Sequence, residues 1–328
     1  MITSVHLLRP LDSENLIYFQ RQLDADLHIT AGPDLPDPPE YHVLVAGRPR
    51  REHVTASPNL HTLIVPWTGV PNETRDLMLD FPHVSVHNLH YNAIAVAEMA
   101  VTLMLAAAKH IVPVDRAFRD HDWTSRYRPT PAILLDGKTA LILGYGAIGR
   151  RVAQMCRGLG MQVLALRRHV SKPGEGDAYA DEIHPPQALD SLLPRADALI
   201  ICLPHTPETD GLIGAEALNR LSDGALLVNV GRGPVLDQAA LYHALKDGPL
   251  YAAGLDVWYN YPDDEASRSH TPPSDYPFHE LENVVMSPHR AGHVDDRDKS
   301  RLDQLAILLN ALARGEPAPN KVNLSIGY

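Results

Sequence analysis

Cysteines are scarce in this sequence, basic side chains are outnumbered by acidic ones, and long apolar runs are missing. The two cysteines, neither in a C-x-x-C pair, exclude a disulfide framework and favour a reducing compartment. No segment reaches the ~18 apolar residues of a membrane span, and the N-terminus lacks the pattern of a secretory leader. With 29 Lys and Arg against 40 Asp and Glu, the net charge is -11 and no basic cluster could neutralise phosphates. We therefore expect a cytoplasmic protein that binds a small molecule, and neither a nucleic acid nor a membrane.

The length and the order of the apolar segments predict an α/β protein. At roughly 150 residues per domain, 328 residues correspond to about two domains. Short β-branched or aliphatic runs alternate with segments of helical period, which is typical of βα units that form a parallel sheet. The predicted strands are Ser4–Leu8, His42–Ala46, Leu60–Pro66, Val84–His87, Ala140–Leu143, Gln162–Leu166, Ala198–Leu203, Ala225–Val230, Tyr251–Asp256 and Val284–Ser287.

Two helical segments indicate how the domains divide. Ala93–His110 is almost continuously apolar and free of glycine and proline, which predicts a buried helix. A last amphipathic helix, Asp298–Ala313, is long enough to pack against an earlier layer. We therefore expect a discontinuous first domain, residues 1–108 plus 295–328, with a second domain, residues 109–294, inserted into it.

A glycine motif follows the first strand of the second series. Gly144, Gly146 and Gly149 form G-x-G-x-x-G directly after the strand and at the start of a helical segment. In that context the first glycine permits a tight turn, the second lets the backbone approach a pyrophosphate, and the third allows close packing of helix and strand. The helix N-terminus adds N–H donors and a positive dipole. The motif predicts a dinucleotide site.

The end of the next strand favours NADP over NAD. An NAD site usually has an Asp or Glu about 20 residues after the glycine motif, where it accepts the ribose 2′-OH. No carboxylate occurs between Arg150 and Gly174, and the strand ends in Arg167 and Arg168. A guanidinium there suits a 2′-phosphate. The alternative is that the two arginines form a solvated strand end, in which case NAD is possible.

Several motifs in a fixed order resemble those of the D-isomer-specific 2-hydroxyacid dehydrogenases. Besides the glycine motif they are Asn92–Glu98, Leu203–Thr209, Val228–Asp237, Gly254–Trp258, Ser287–Gly292 and Asn320–Asn323. The resemblance implies two Rossmann-like domains, a flavodoxin-like substrate domain and an inserted, doubly wound dinucleotide-binding domain. It also implies an oxidoreductase that reduces a 2-oxo acid to a D-2-hydroxy acid by hydride transfer from a nicotinamide cofactor.

The resemblance implies roles for individual residues as well. Arg232 would bind the substrate carboxylate and polarise its carbonyl, which suits a charged, planar guanidinium. His289 would be the general acid and base, and Asp256 would accept a hydrogen bond from the nicotinamide carboxamide. Backbone N–H groups at Gly69 and Val70 would also bind the substrate carboxylate. The residues expected to contact the cofactor are Gly144, Tyr145, Gly146, Ala147, Ile148, Gly149, Arg167, Arg168, Leu203, Pro204, Thr209, Val230, Gly231, Asp256, His289 and Ala291.

One position departs from the family pattern. Most members have a glutamate five residues after the aspartate, where it pairs with the histidine, whereas this chain has Tyr261. A carboxylate favours the charged imidazole and fixes its tautomer, but a neutral phenol does only the second. Tyr261 is therefore predicted to act in catalysis as the neighbour of His289. It lies in Tyr259–Tyr276, predicted to be a long loop, from which one of three acids could approach the histidine instead: Asp263, Asp264 or Glu265.

A metal site and a regulatory role are the remaining alternatives. His289 and His293 have the spacing of some zinc pairs, but no third ligand is evident, so no metal is expected. The alternative function is a catalytically weak regulatory protein that senses the cofactor. Tyr261 favours it, whereas the retention of Arg232, Asp256 and His289 favours an enzyme. The family resemblance further implies a homodimer formed through the nucleotide-binding domains.

Overall fold

The chain forms two units, the first of which is discontinuous. The computed structural model describes residues 3–129 and 132–325. One unit comprises Met1–Asn92 and His293–Tyr328, and the other comprises Ala93–Gly292. The predicted boundary at residue 108 differs from this division, because the helix that begins at Ala93 packs against strands and a helix of the second unit.

Strands and helices alternate through most of the described residues. The strands are β1 (Thr3–Leu7), β2 (Leu27–Ala31), β3 (Val43–Val45), β4 (Thr62–Val65), β5 (Ser85–Asn88), β6 (Thr139–Leu143), β7 (Gln162–Leu166), β8 (Glu182–His184), β9 (Ala198–Ile201), β10 (Ala225–Asn229), β11 (Leu250–Leu255) and β12 (Val284–Met286). The α-helices are α1 (Ser13–Gln20), α2 (Arg51–Thr55), α3 (Asn72–Leu79), α4 (Ala93–Ala108), α5 (Ile111–Arg119), α6 (Thr124–Tyr127), α7 (Ala147–Gly158), α8 (Leu189–Leu192), α9 (Ala215–Asn219), α10 (Gln238–Lys246) and α11 (Arg297–Ala313).

The first unit contains a five-stranded parallel sheet. Its strand order is β2-β1-β3-β4-β5, which is the flavodoxin-like order. Buried side chains of the sheet and of the C-terminal helix form one apolar cluster that includes Val5, Val43, Ile64, Leu302, Leu305 and Leu309. This packing places α11 in the first unit.

The second unit contains a seven-stranded sheet in the order β12-β11-β10-β9-β6-β7-β8, and every pair in it is parallel. Apolar clusters cover both faces, and α4 contributes to one of them. The strand order reverses between β6 and β9, so the loops after these strands diverge and leave a crevice for a ligand. The predicted α/β class with two Rossmann-like sheets is confirmed.

The predicted long helix ends two residues early. His110 has a φ of 51°, a left-handed conformation that separates α4 from α5. No single helix among the described residues is long and apolar enough to cross a membrane; α4 and α5 reach that length together but are bent by 66°. Nine of the sixteen residues of α4 are buried in the core.

Candidate active site

The glycine motif forms the turn between β6 and α7. Gly144 has a φ of +96°, and a Cβ there would come within 2.9 Å of the carbonyl oxygen of Cys202. A Cβ at Gly149 would collide with the carbonyl oxygen of Gly144. Gly146, just before α7, has no heavy atom of the described chain within 4 Å of its Cβ position. The N-terminus of α7 is therefore open to a phosphate group, as a bound dinucleotide requires.

Two predicted cofactor residues use their side chains to hold loops. Tyr145 is 4% exposed, and its hydroxyl donates to Asp177 at 2.7 Å. Burial and this carboxylate raise the pKa of Tyr145. The hydroxyl of Thr209 donates to the carbonyl of Pro204 at 2.7 Å and accepts the N–H of Thr206 at 2.8 Å. The Tyr145 side chain is therefore held within the protein, which leaves its backbone for the predicted cofactor contact, and Thr209 shapes the loop after β9.

The two arginines predicted to select the cofactor follow β7, the neighbour of β6. Arg167 is exposed, and its N–H donates to the carbonyl of His184 at 2.9 Å. The pKa of the Glu208 carboxyl is lowered by the hydroxyl of Thr206 and, more weakly, by the charge of Arg168. Arg168 therefore lies near the loop after β9. The other predicted cofactor residues lie at the carboxyl ends of the same sheet: Ala147, Ile148, Leu203, Val230, Gly231 and Ala291.

Arg232 lies in the loop after β10, between two glycines that allow the backbone to pass close to its neighbours. A Cβ at Gly231 would collide with the backbone of Leu203. A Cβ at Gly233 would collide with the backbone of Trp258. No side chain fits at either position unless the loop moves, so the two glycines fix the course of the chain on both sides of Arg232.

Hydrogen bonds complete the support of this loop. The side chain of Asn229 accepts the N–H of Gly231 and donates to the carbonyl of Arg232, both at 3.0 Å. The guanidinium of Arg232 donates to the carbonyl of Gly231 at 2.6 Å and reaches solvent. Desolvation by surrounding protein lowers the pKa of Arg232, and the nearby Tyr261 opposes that shift. An arginine remains charged at neutral pH, so this is a cationic site.

The loop that carries His289 is fastened to Asp256 at the end of β11. The Asp256 carboxylate, 1% exposed, accepts the hydroxyl of Ser287 at 2.5 Å. It also accepts the N–H groups of Arg290 and Ala291, each at 3.0 Å. The N–H of His289 donates to the carbonyl of Asp256 at 2.7 Å. Asp256 is therefore a positioning residue for His289, and its predicted contact with a nicotinamide stays a prediction.

Tyr261 stands beside both predicted catalytic residues. Its ring lies 5.5 Å from the imidazole of His289 between centroids, at 60°. Its hydroxyl accepts the N–H of Trp258 at 3.2 Å and interacts electrostatically with Arg232. Burial raises the pKa of Tyr261, with a smaller contribution from Asp256, while Trp258 and Arg232 oppose the shift. The phenol is therefore neutral at physiological pH.

Three acids of the Tyr259–Tyr276 loop are the alternative neighbours of His289, and two of them have partners within their own segment. Asp264 accepts the N–H of Ser267 at 2.8 Å, and Glu265 lies 3.0 Å from Arg268. All four residues belong to an exposed 3₁₀ turn and its start. Asp263 lines a depression on the surface of the Tyr259–Tyr276 loop. The ring of Tyr261, in the same loop, contacts the imidazole of His289.

The predicted substrate loop follows β4 in the first unit. Gly69 and Val70 lie there, half-buried. The carbonyl of the preceding Thr68 accepts the side-chain N–H of Asn88 at 2.5 Å, and the Thr68 hydroxyl donates to Asn92 at 2.5 Å. These bonds hold the backbone at the carboxyl end of the first sheet, where a ligand of an α/β domain binds.

Three residues without a role predicted from the sequence hold the site together. Asn229 fixes the loop of Arg232, and Ser287 binds Asp256. The indole N–H of Trp258 donates to the carbonyl of Ser287 at 2.8 Å. Their signal is positional: Asn229 ends β10, Ser287 directly follows β12, and Trp258 lies three residues after β11, all within the motifs already singled out.

Comparisons with known proteins agree on one family. Residues 101–291 match the sequence profile described as D-isomer specific 2-hydroxyacid dehydrogenase, NAD binding domain. A D-3-phosphoglycerate dehydrogenase of Archaeoglobus fulgidus is 32% identical over 319 residues, which are 95% of this chain and 58% of that protein. A glyoxylate reductase of Korarchaeum cryptofilum is 37% identical over 235 residues, 70% of this chain and 66% of that protein. The chain spans between about half and two thirds of the length of the curated relatives it matches.

A solved structure resembles the whole chain. It is a D-isomer specific 2-hydroxyacid dehydrogenase from Xanthobacter autotrophicus Py2 in complex with NADPH and MES. The two chains are 26% identical, superpose with a TM-score of 0.80, and cover each other completely, at 100% of each. The similarity therefore extends over both units.

Proposed function

This chain belongs to the D-isomer specific 2-hydroxyacid dehydrogenases, a family of NAD(P)-dependent oxidoreductases, and we propose that it reduces a 2-oxo acid to a D-2-hydroxy acid. The observation that carries the proposal is the position of Tyr261 beside both Arg232 and His289. A permanent cation and an acid–base group therefore lie at the same edge of the second sheet, as reduction of an anionic carbonyl substrate requires.

Arg232 has the chemistry to bind the substrate and to stabilise its transition state. A guanidinium can donate to a carboxylate and to the adjacent carbonyl oxygen at once, because its N–H groups form a planar fork. As the carbonyl oxygen gains negative charge, the attraction to Arg232 increases. The glycines on both sides and Asn229 hold the backbone of Arg232 in place before substrate arrives, so less ordering is needed on binding.

His289 is proposed to donate the proton that the developing alkoxide needs and to take it back in the oxidation. Asp256 fixes the backbone of its loop, and the ring of Tyr261 packs beside the imidazole. When bound, the reduced nicotinamide supplies the hydride. The open space at Gly146 and the start of α7 fit the pyrophosphate of that cofactor.

NADP is the proposed cofactor. Two arginines follow β7, and residues 151–173 contain no carboxylate that would accept a ribose 2′-OH or repel a 2′-phosphate. Arg167 is exposed at this edge of the sheet, and Arg168 lies near the loop after β9. The Xanthobacter protein, which was solved with NADPH, supports the same preference.

The test is a panel of glyoxylate, hydroxypyruvate and phenylpyruvate, each assayed with NADPH and with NADH. We expect oxidation of NADPH with at least one acid, and a higher kcat/KM with NADPH than with NADH. Arg232→Ala should lower kcat/KM by about 100-fold or more, because a preorganised charge in the transition state is lost. Arg220→Ala is the control, since Arg220 pairs with Glu216 on α9.

Each outcome decides one proposal. A kcat/KM with NADH equal to or above that with NADPH would refute the cofactor preference. Binding of NADPH without turnover of any 2-oxo acid would favour a cofactor-sensing regulatory protein on this fold. An Arg232→Ala variant as active as Arg220→Ala would remove Arg232 from the reaction.

A homodimer formed through the second unit is proposed from an exposed apolar surface. Within the described residues, the α5 helix and the chain after it expose seven large apolar side chains by 38–80%: Ile111, Val112, Val114, Phe118, Trp123, Tyr127 and Leu134. Exposed apolar area of this kind is typical of a subunit interface. Light scattering should give the mass of two chains for the wild type and of one chain for Phe118→Asp. A monomeric wild type would refute the proposal.

A cytoplasmic location is proposed as well. Cys156 and Cys202 are both free thiols, which suits a reducing compartment. Burial raises the pKa of each thiol to about 12, so neither is poised to react. Fractionation of expressing cells would test the location, and recovery of the protein outside the cytoplasm would refute it.

A further inference from the structure

A cavity of about 160 Å³ opens in the first unit at the carboxyl ends of three strands. Leu8 and Arg9 follow β1, Gly47 and Arg48 follow β3, and Trp67 follows β4. In the order β2-β1-β3, the chain leaves β1 toward one side of the sheet and β3 toward the other. The cavity therefore lies at the topological switch point of this sheet, the position at which flavodoxin-like domains bind ligands.

Its charge is positive. The residues of the described chain that line it include three arginines, Arg9, Arg48 and Arg301, and no acid. The Arg301 side chain is only 14% exposed and lies 2.9 Å from Asp298. Arg48 lies 3.2 Å from Glu73. Two carboxylates thus balance two of the three guanidiniums, and the excess positive charge favours an anion in the cavity.

Its walls are apolar. Leu302 and Leu305 of α11 are 1% and 2% exposed, and Val45 at the end of β3 also lines the cavity. The indole of Trp67 packs so closely on Gly47 that any side chain at that position would collide with it. A volume of 160 Å³ corresponds to about five water-sized groups at ~30 Å³ each, so a short chain with one terminal group fits.

The cavity adjoins the loop predicted to bind the substrate carboxylate. Trp67, which lines the cavity, is followed directly by Thr68, Gly69 and Val70. A 2-oxo acid held by its carboxylate on those N–H groups would have the cavity within reach of its far end. The guanidinium of Arg48 stacks over the Trp67 ring at 5.5 Å, so charge and apolar surface are combined at the boundary between the loop and the cavity.

We propose that this arginine-lined cavity binds the far end of the substrate, and that the substrate is a 2-oxo acid with a second, terminal anionic group on a short apolar spacer. The distal CH2–CH2–COO⁻ portion of a five-carbon 2-oxo dicarboxylate matches this volume and the leucine walls. The inference rests on the proposed function, since it extends the substrate of the same reaction. It assigns specificity to Arg9, Arg48 and Arg301, residues to which the reaction itself gives no role.

The test compares two substrates of equal chain length. 2-Oxoglutarate carries the second carboxylate, and 2-oxopentanoate lacks it. We expect the wild-type kcat/KM for 2-oxoglutarate to exceed that for 2-oxopentanoate by about tenfold or more, because charge-assisted hydrogen bonds are lost with the carboxylate. Arg301→Gln and Arg9→Gln should each reduce this ratio by about fivefold or more. Arg314→Gln, directly after the same helix, is the control, since Arg314 pairs with Asp24 at 2.7 Å and does not line the cavity.

A binding measurement separates failure of this inference from failure of the proposed function. Calorimetric titration with glutarate and with butyrate needs no turnover, and we expect the wild type to bind glutarate more tightly and Arg301→Gln to lose the difference. Turnover of 2-oxo acids with no preference for the dicarboxylate would overturn the cavity assignment alone. Selective glutarate binding without any turnover would refute the reaction while retaining an anion site.

A third substrate distinguishes a carboxylate from a phosphate as the terminal anionic group. 3-Phosphohydroxypyruvate places a phosphate monoester where 2-oxoglutarate has its distal carboxylate. A kcat/KM for the phosphate ester above that for 2-oxoglutarate would overturn the dicarboxylate assignment in favour of a phosphate group. If the ratio of kcat/KM for 2-oxoglutarate to that for 2-oxopentanoate is unchanged in both Arg301→Gln and Arg9→Gln, the role of the arginines is overturned.

Discussion

Tyr261 combines an unexpected side chain with a position beside the proposed acid–base residue. It occupies the position where the resemblance implies a glutamate, and its ring packs beside the imidazole of His289. Burial raises the pKa of the phenol, so it carries no charge at neutral pH. An uncharged neighbour orients an imidazole without favouring its protonated form, whereas a carboxylate does both.

A carboxylate introduced at this position should therefore extend reduction to higher pH. Reduction requires protonated His289, and a nearby negative charge favours that form. For Tyr261→Glu we expect the basic limb of the kcat/KM profile for reduction to move up by about 1 pH unit. Tyr261→Phe is the control, because it keeps the ring and adds no charge. A basic limb in Tyr261→Glu that coincides with the wild type would contradict the role given to Tyr261.

The position of the candidate site residues at the strand ends could be predicted from the sequence, but the hydrogen bonds that hold them there could not. The motifs singled out Arg232, Asp256 and His289, and the structure places all three at the carboxyl ends of one sheet. The bond between the Ser287 hydroxyl and Asp256 joins residues 31 positions apart. Such a bond depends on the register of two strands, and no local pattern in the sequence reports it.

Among the elements, β2 and β8 are the two strands that were not predicted from the sequence, and both are edge strands. β2 and β8 each end a sheet, and both are only partly buried. Central strands of a parallel sheet are covered on both faces and show continuous apolar runs, but an edge strand such as Leu27–Ala31 alternates with His28 and Thr30. The apolar pattern therefore predicts the middle of each sheet better than its edges.

The turn before α7 allows a test of the glycine motif as an element. A Cβ at Gly146 meets open space, so Gly146→Ala should leave the melting temperature unchanged and raise KM for NADPH by about tenfold, because the methyl group occupies the pyrophosphate position.

A Cβ at Gly149 meets a carbonyl oxygen of the turn, so Gly149→Ala should lower the free energy of unfolding by about 1–3 kcal/mol.

Gly158→Ala, at the end of the same helix, is the matched control. Its Cβ position is open within the described chain and far along the helix from the turn, so neither stability nor KM should worsen. Calorimetry and cofactor titration provide the two measurements. An unchanged KM in Gly146→Ala would contradict binding of the pyrophosphate at this turn.

Over the whole molecule, net charge and local charge have opposite signs. The chain carries a net charge of -11, yet the groups proposed to bind anions are arginines: Arg232, Arg167 and Arg168 in the second unit, and Arg9, Arg48 and Arg301 in the first. A few cations at strand ends can bind an anionic ligand because local interactions exceed the screened field of distant surface charges. A net charge of -11 is therefore compatible with small anions as ligands.

The first unit is expected to respond to mild acid. Burial is the main cause that lowers the pKa of several buried or half-buried histidines of this unit: His6, His53, His87 and His90. Their pKa values in the unfolded chain are about 6.5. Below that pH the unfolded chain binds protons that the folded unit does not, so the free energy of unfolding falls as the pH falls. Above it, folded and unfolded histidines are both neutral and contribute nothing to the pH dependence.

His6 provides the sharpest test of that pH dependence. It is 1% exposed, and its Nδ1 lies 2.9 Å from the hydroxyl of Thr30. Burial is the largest cause that lowers the pKa of His6, and it outweighs the backbone hydrogen bond with Gly32, which favours the protonated ring. Between about pH 7.5 and about pH 5, the wild-type melting temperature should fall, and in His6→Gln it should fall by less. The exposed His28→Gln, on the neighbouring strand, should retain the full wild-type fall. The pKa of Glu182 is held at about 2 by Arg195, so that carboxylate titrates well below this pH range. If the melting temperature falls equally in His6→Gln and in the wild type, the pH dependence does not come from the buried His6.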